Sequence, residues 1–335
     1  MNKGIIIAGN LIVDHVKTCD DYPKMGLLTN IREVSDCIGG CAGNTICDIA
    51  KIDPSVPLKC IGKVGNDADG VYVKNILTSL GVNVDGVKVS DTQPTSFTDV
   101  MSSLSANERT FFHARGANAE FGIDDINFDN LEADIFHIGY ALLLDKFDAE
   151  DPEYGTVMAK TLAKVQNKGI KTCIDVVSES SDRFTKIVTP ALKYCTYLII
   201  NEVEAELITN VKIRMEDNSV SEDGIKNACK VFFEKGVGEV ICIHFPEGGY
   251  YVEKNGNCTF MSSVNIPKSD IKGKVGAGDA FCAGMLYSLY KGFTPEYSLR
   301  VAGAAAACNL TENNSIDGLR PFDEMMKLEE HYGVQ

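Results

Sequence analysis

The chain has 335 residues, 44% of them hydrophobic and 24% charged, which is ample material for a large globular core. Its formal net charge of -15 argues against nucleic acid or an anionic membrane as partner, while a local cluster of amides and a divalent ion can still hold a nucleotide. No amino-terminal signal or membrane-length apolar run is read, and the 12 cysteines form no CxxC pair and sit mostly inside apolar runs, so buried thiols and a cytoplasmic location are expected.

Residues 4–9 are an unbroken apolar run of strand length, as in a strand buried on both faces. It ends at Gly9 and Asn10, and Asp14 follows, in the position where open α/β sheets hold ligands. Residues 27–37 mix polar and β-branched types, which predicts a half-exposed strand. Gly39, Gly40 and Gly43 lead into Asn44 and a helical run over 45–52. Small residues there let a ligand lie against the backbone, and they equally suit close helix-to-strand packing. Residues 60–65 predict a strand entering a turn, with Asp67 capping a helix that runs to Leu80 and closes at Gly81. Residues 94–114 alternate on both sides of a turn at 105–108, a hairpin inside an otherwise βα chain. Segments 11–38 and 94–115 are therefore read as a small antiparallel sheet outside the main one: a lid over a site, an edge extension or a dimer surface.

From residue 135 the rhythm is regular. Strands are predicted over 135–139, 169–175, 197–200 and 240–243, helices over 155–166, 224–234, 280–291 and 296–309, and a hairpin over 248–260. The alternation predicts one α/β domain over 1–335, with a mostly parallel central sheet covered by helices on both faces.

Gly276, Ala277, Gly278 and Asp279 open the helix at 280. First-turn amides have no helical partner and, with the helix dipole, make an anion site. A carboxylate beside such a site repels the anion, so Asp279 needs another task, that of base toward a substrate hydroxyl. Glycine clusters of this length are also common as plain turns, and this one is neither a Walker loop nor a dinucleotide fingerprint. Asn10, Asp14, Asn201 and Glu204 fall at predicted strand ends, which gather along one rim and bring oxygen ligands suited to Mg2+ beside the glycine cluster.

These pieces, with Pro23 and Gly26, the run from Ile61 to Asp67, Gly70 and Gly81-Val82, resemble in order and spacing the ribokinase, or phosphofructokinase-B (PfkB), family of carbohydrate kinases, from residue 4 to about 320. The resemblance implies a ribokinase-like fold with a β lid, ATP and Mg2+, and a small-molecule sugar as acceptor. It gives Asp279 the role of base and the amides of Gly276, Ala277 and Gly278 that of anion hole. It places Asn201 and Glu204 on Mg2+ and the ATP phosphates through water and Asp14, Gly39, Gly40 and Asn44 on the sugar; His244 and Gly249 fall on the nucleotide side, where His244 is read either as a donor to a phosphate or as a structural histidine at a strand end. Residues 107–112 with Gly116, Ala117 and Asn118 are similar to the fructokinase and ketodeoxygluconate kinase branch; Arg109 or Arg115 would reach a carboxylate or hydroxyls of the acceptor, and a solvated surface arginine is the other reading for each. The chain departs from the family on the nucleotide half. Gly273-Lys274-Val275 replaces an Asp-Thr-Thr-like run, which leaves use of a monovalent cation (K+) open. His244 to Gly249 replaces a Thr-Leu-Gly-x-x-Gly loop, and Gly303 stands where many members carry asparagine. The expectation is a kinase acting on a primary hydroxyl of a ketohexose or sugar acid, with a homodimer through the lid. A nucleoside kinase of the same fold and a sugar-binding regulatory protein with a degenerate ATP site are the alternatives.

Overall fold

The computed structural model describes residues 2–106, 108–178 and 183–335. Asn107, counted above in the hairpin turn, lies outside the described residues. Strand β1 (Ile5–Gly9) is buried along its whole length, as its unbroken apolar run requires. Then come β2 (Ile12–Cys19), β3 (Ile31–Gly39), α1 (Cys41–Ile52), β4 (Leu58–Gly65), α2 (Ala68–Ser79) and β5 (Asn83–Ser90). As expected, Asp67 caps α2, its carboxylate accepting from the Gly70 amide at 2.8 Å, and Gly81 leaves the helix at φ 78. β6 (Ser96–Ser103) and β7 (Glu108–Ala114) form the hairpin, followed by β8 (Ile135–Ala141).

The second half alternates as the sequence predicts: α3 (Val157–Gln166), β9 (Lys171–Val176), β10 (Tyr197–Asn201), α4 (Glu202–Thr209), α5 (Glu222–Glu234) and β11 (Val240–Phe245). The hairpin β12 (Gly248–Glu253) and β13 (Cys258–Ser262) leads to α6 (Ala277–Lys291) and α7 (Pro295–Leu310).

Nine strands form the main sheet in the order β13-β12-β11-β10-β9-β8-β1-β4-β5, parallel except for the β12–β13 hairpin at one edge. The period of two in each strand divides the apolar residues between the faces. Ile5 and Ile7 pack with Ile46, Met285 and Ala304 of α1, α6 and α7, while Ile6 packs with Leu162, Ile208 and Phe232 of α3, α4 and α5. Because the strands are parallel, the carboxyl ends of β1, β8, β9, β10 and β11 open on one rim. No helix of the described residues is long and apolar enough to cross a membrane.

The four-stranded small sheet, ordered β3-β2-β6-β7, uses both expected segments. Its outer pairs are antiparallel and its central pair, β2 with β6, is parallel. Two details differ from the sequence reading. Asp14 lies within β2 rather than in a loop beyond β1, and β3 begins at Ile31 rather than at residue 27. Both strands belong to a sheet with one exposed side, where polar residues are tolerated and the burial signal in the sequence is weak.

Candidate active site

At the mouth of α6, Gly276 adopts φ 81, and a Cβ there would stand 2.7 Å from that of Ser315, so only glycine fits. The first α-helical bond runs from the Ala280 amide to the Gly276 carbonyl at 2.8 Å, and Ala277 N–H reaches the Lys274 carbonyl at 3.4 Å. No side chain caps this end, and the Gly278 and Asp279 amides meet no acceptor among the described residues. Gly278 is exposed, so these donors face outward.

Asp279 is buried within the first turn. Asn44 Nδ2 donates to its Oδ2 at 2.8 Å, and the Tyr140 hydroxyl donates to Oδ1 at 2.7 Å and Oδ2 at 2.9 Å. Burial pushes the carboxyl up to about 6, against the downward pull of the hydrogen bonds from Asn44 and Tyr140. Sequence reasoning missed Tyr140. It stands just past the carboxyl end of the β8 core run, with its amide donating to Asn10 Oδ1 at 2.6 Å, so the asparagine after β1 positions the residue that positions Asp279.

A cavity of about 270 Å³ opens here, lined by Tyr140, Asp175, Asn201, Glu204, His244 and the α6 mouth at Gly276, Gly278 and Asp279. Asn201 and Glu204 face it while forming a capping box: Asn201 Oδ1 accepts from the Glu204 amide at 2.9 Å and Glu204 Oε2 from the Asn201 amide at 3.1 Å. Ser178 Oγ donates to Glu204 Oε1 at 2.7 Å. Burial pushes the Glu204 carboxyl up to about 7 and the buried Asp175 well above the carboxylate range; the Asp279 charge adds to both. Asp175 is the last residue of the strand predicted over 169–175.

His244 is half-buried at the end of β11 and stacks on Phe281 with ring centroids 4.7 Å apart. Burial lowers it to about 4, so the ring is neutral at pH 7. Gly249 pairs with His244 across the β11–β12 ladder and lies behind the stack, where a Cβ would approach the Phe281 ring to 3.2 Å; it does not line the cavity. A Cβ at Gly303 would have no atom within 4 Å.

The residues expected on the sugar lie outside that cavity and converge on Asp279 from the small sheet and α1. Asn44 touches it directly. A Cβ on Gly39 would stand 2.5 Å from Asp14 Oδ2, so this glycine clears the space the Asp14 carboxylate occupies. Gly40 at φ 81 opens α1 with 2.6 Å between an added Cβ and the Asn10 carbonyl oxygen. Burial pushes Asp14 up to about 6, partly opposed by a hydrogen bond from Thr98, and the Asp279 charge raises it further. Arg109 Nη2 donates to the Asn313 carbonyl at 3.0 Å, tying β7 to the loop that carries Ser315.

The pfkB family carbohydrate kinase profile matches residues 2–321. A Haemophilus influenzae protein named ribokinase is 23% identical over 99% of this chain and 100% of its own length. A Listeria monocytogenes 5-dehydro-2-deoxygluconokinase is 25% identical over 88% of this chain and 87% of its own. Among solved structures, Arabidopsis thaliana ribokinase complexed with ribose and ATP superposes with a TM-score of 0.80 at 22% identity, covering 98% of this chain and 99% of that one, which is a likeness of fold. The chain belongs to the pfkB family of carbohydrate kinases.

Proposed function

We propose that the protein transfers the terminal phosphoryl group of ATP to a primary hydroxyl of a small sugar, either a ketohexose or a sugar acid. The observation that carries this reading is the buried Asp279 carboxylate, held by Asn44 and Tyr140 beside the Gly278 and Asp279 amides, which meet no acceptor among the described residues. In the step, the acceptor oxygen attacks the γ-phosphorus, the bond from that phosphorus to ADP breaks, and the hydroxyl proton passes to Asp279. The amides of Gly276 and Gly278 stabilise charge on the phosphoryl oxygens, joined by that of Ala277 once it leaves the Lys274 carbonyl. Asp14, Gly39, Gly40 and Asn44 form the sugar side, where Arg109 would meet a carboxylate; His244, backed by Gly249, faces the nucleotide.

The oxygen donors toward the cavity suit a hard divalent ion. Glu204 and Asp175 are raised carboxyls with no compensating cation among the described residues, which is the environment Mg2+ would relieve. It would be held through water by Asn201 and Glu204, and when bound it neutralises phosphate charge. The small sheet serves as a lid that excludes water from the acceptor. The ribose and ATP complex of the Arabidopsis protein supports the nucleotide and sugar assignments, and the name of the Listeria relative supports a sugar acid. Exposed Leu27, Leu28, Phe111 and Phe112 on the small sheet and its adjoining loop suit a second copy of this chain. Sedimentation that finds only monomer at micromolar concentration would remove the dimer.

ADP release measured over a panel of sugars, sugar acids and nucleosides tests the reading. Turnover with one sugar class supports it, turnover with nucleosides alone redirects it to a nucleoside kinase, and binding without ADP release contradicts it.

A further inference from the structure

Beneath the cavity floor, three metal-ligating side chains from three elements meet, and a fourth, Cys282, approaches them from α6. Cys41 opens α1, His137 lies in β8, Asp175 lies near the end of β9 and Cys282 lies in the first turns of α6. Cys41 Sγ is 3.3 Å from His137 Nε2 and 3.4 Å from Asp175 Oδ2, and the three ligand atoms lie within 4.8 Å of one another. Cys282 Sγ is 3.9 Å from the same His137 nitrogen. Zinc bonds of about 2.0–2.3 Å, arranged tetrahedrally, set neighbouring ligands roughly 3.3–3.8 Å apart. Both Cys41 distances already fall in that range.

The cluster is buried, and His137 Nδ1 meets no hydrogen-bond partner among the described residues, so Nε2 alone engages polar groups and does so toward the two thiols. Asp175 and Cys282 also line the active-site cavity, which gives an ion a route in. Thiol, imidazole and a single carboxylate are a borderline-soft set, unlike the all-oxygen donors at Asn201 and Glu204 that suit Mg2+.

We propose that Cys41, His137 and Asp175, with Cys282 as fourth ligand, form a site for a borderline-soft divalent ion of the zinc class, loaded through the active-site cavity. Loading displaces the thiol protons to solvent and ties together the ends of α1, β8 and β9 and the start of α6, the elements that carry Asn44, Tyr140 and Asp279. Titration of the metal-free, fully reduced protein with Co2+ tests it. The expected result is one equivalent bound, with a thiolate-to-cobalt charge-transfer band and the visible bands of a tetrahedral ion, displaced by Zn2+ but not by millimolar Mg2+. Cys41→Ser/Cys282→Ser loses the charge-transfer band, whereas Cys195→Ser, remote in the core, keeps it. No such band in the wild type, or an unchanged band in the folded double variant, overturns the proposal. Should the double variant not fold, His137→Gln decides instead: affinity falls at least about 10–100-fold, or the site lies elsewhere. The readout is metal spectroscopy, so its failure leaves the kinase reading standing, and failure of the kinase assay leaves this site standing.

Discussion

Asn44 and the cavity-lining Tyr140 fix the Asp279 carboxylate with three hydrogen bonds, and on the side proposed for the sugar Asp14 occupies a space that Gly39 leaves clear. On the side proposed for the nucleotide, the cavity wall includes Gly276, Gly278 and His244 beside Asn201 and Glu204, with backbone amides among the donors. A base must be held to within a fraction of an ångström of the proton it takes, which demands particular side chains. Phosphate oxygens can be met by amides that any sequence supplies, provided glycines permit the turn. Under the proposed function, the departures from the family pattern at Gly273 to Val275, His244 to Gly249 and Gly303 fall on the half that relies on such amides.

Substitutions can break that contrast, and their expected effects descend in size. Asp279→Asn keeps the fold and the hydrogen bond from Tyr140 and lowers kcat by ~10²–10⁴, read by steady-state ADP release. Asp14→Asn raises the acceptor KM by about 10–100-fold, as loss of a charged hydrogen-bond acceptor predicts, with the ATP KM unchanged. A matching rise in the ATP KM would place Asp14 in both halves. His244→Ala raises the ATP KM by only about 2–10-fold, since it removes one stacked ring and leaves the amides in place. A kcat loss as large as that of Asp279→Asn would mean that the nucleotide side also depends on one side chain.

The βα rhythm from residue 135 onward was legible because strands buried on both faces read as unbroken apolar runs, as in β1, β8 and β11. Gly276 to Asp279 were legible because a helix mouth needs glycine in sequence as well as in space. The β2 strand was not, since Asp14, His15 and Lys17 sit on a half-exposed sheet with no sharp alternation of burial. Asn201 and Glu204 were read as ligands, yet their three-residue spacing is also that of a capping box, and they form one. Tyr140 gave no signal: its contact with Asp279 spans 139 residues, and only the parallel register brings β8 to the same rim as α6. The same holds for Cys41 and His137, which are 96 residues apart and show none of the spacing of a local metal motif.

The pH dependence of kcat/KM for the cognate sugar, measured in the wild type and in Tyr140→Phe, tests the role of Asp279 most directly. The ionised carboxylate is the active form and burial holds it up to about 6, so kcat/KM falls about tenfold per pH unit below that value. Asp14 and Glu204 titrate nearby, at about 6 and about 7, so the variant isolates the base. Tyr140 donates to the ionised form and holds its pKa down, so Tyr140→Phe moves the acid limb to higher pH. A wild-type profile flat to pH 5, or a limb that stays in place without the tyrosine hydroxyl, would contradict Asp279 as the base.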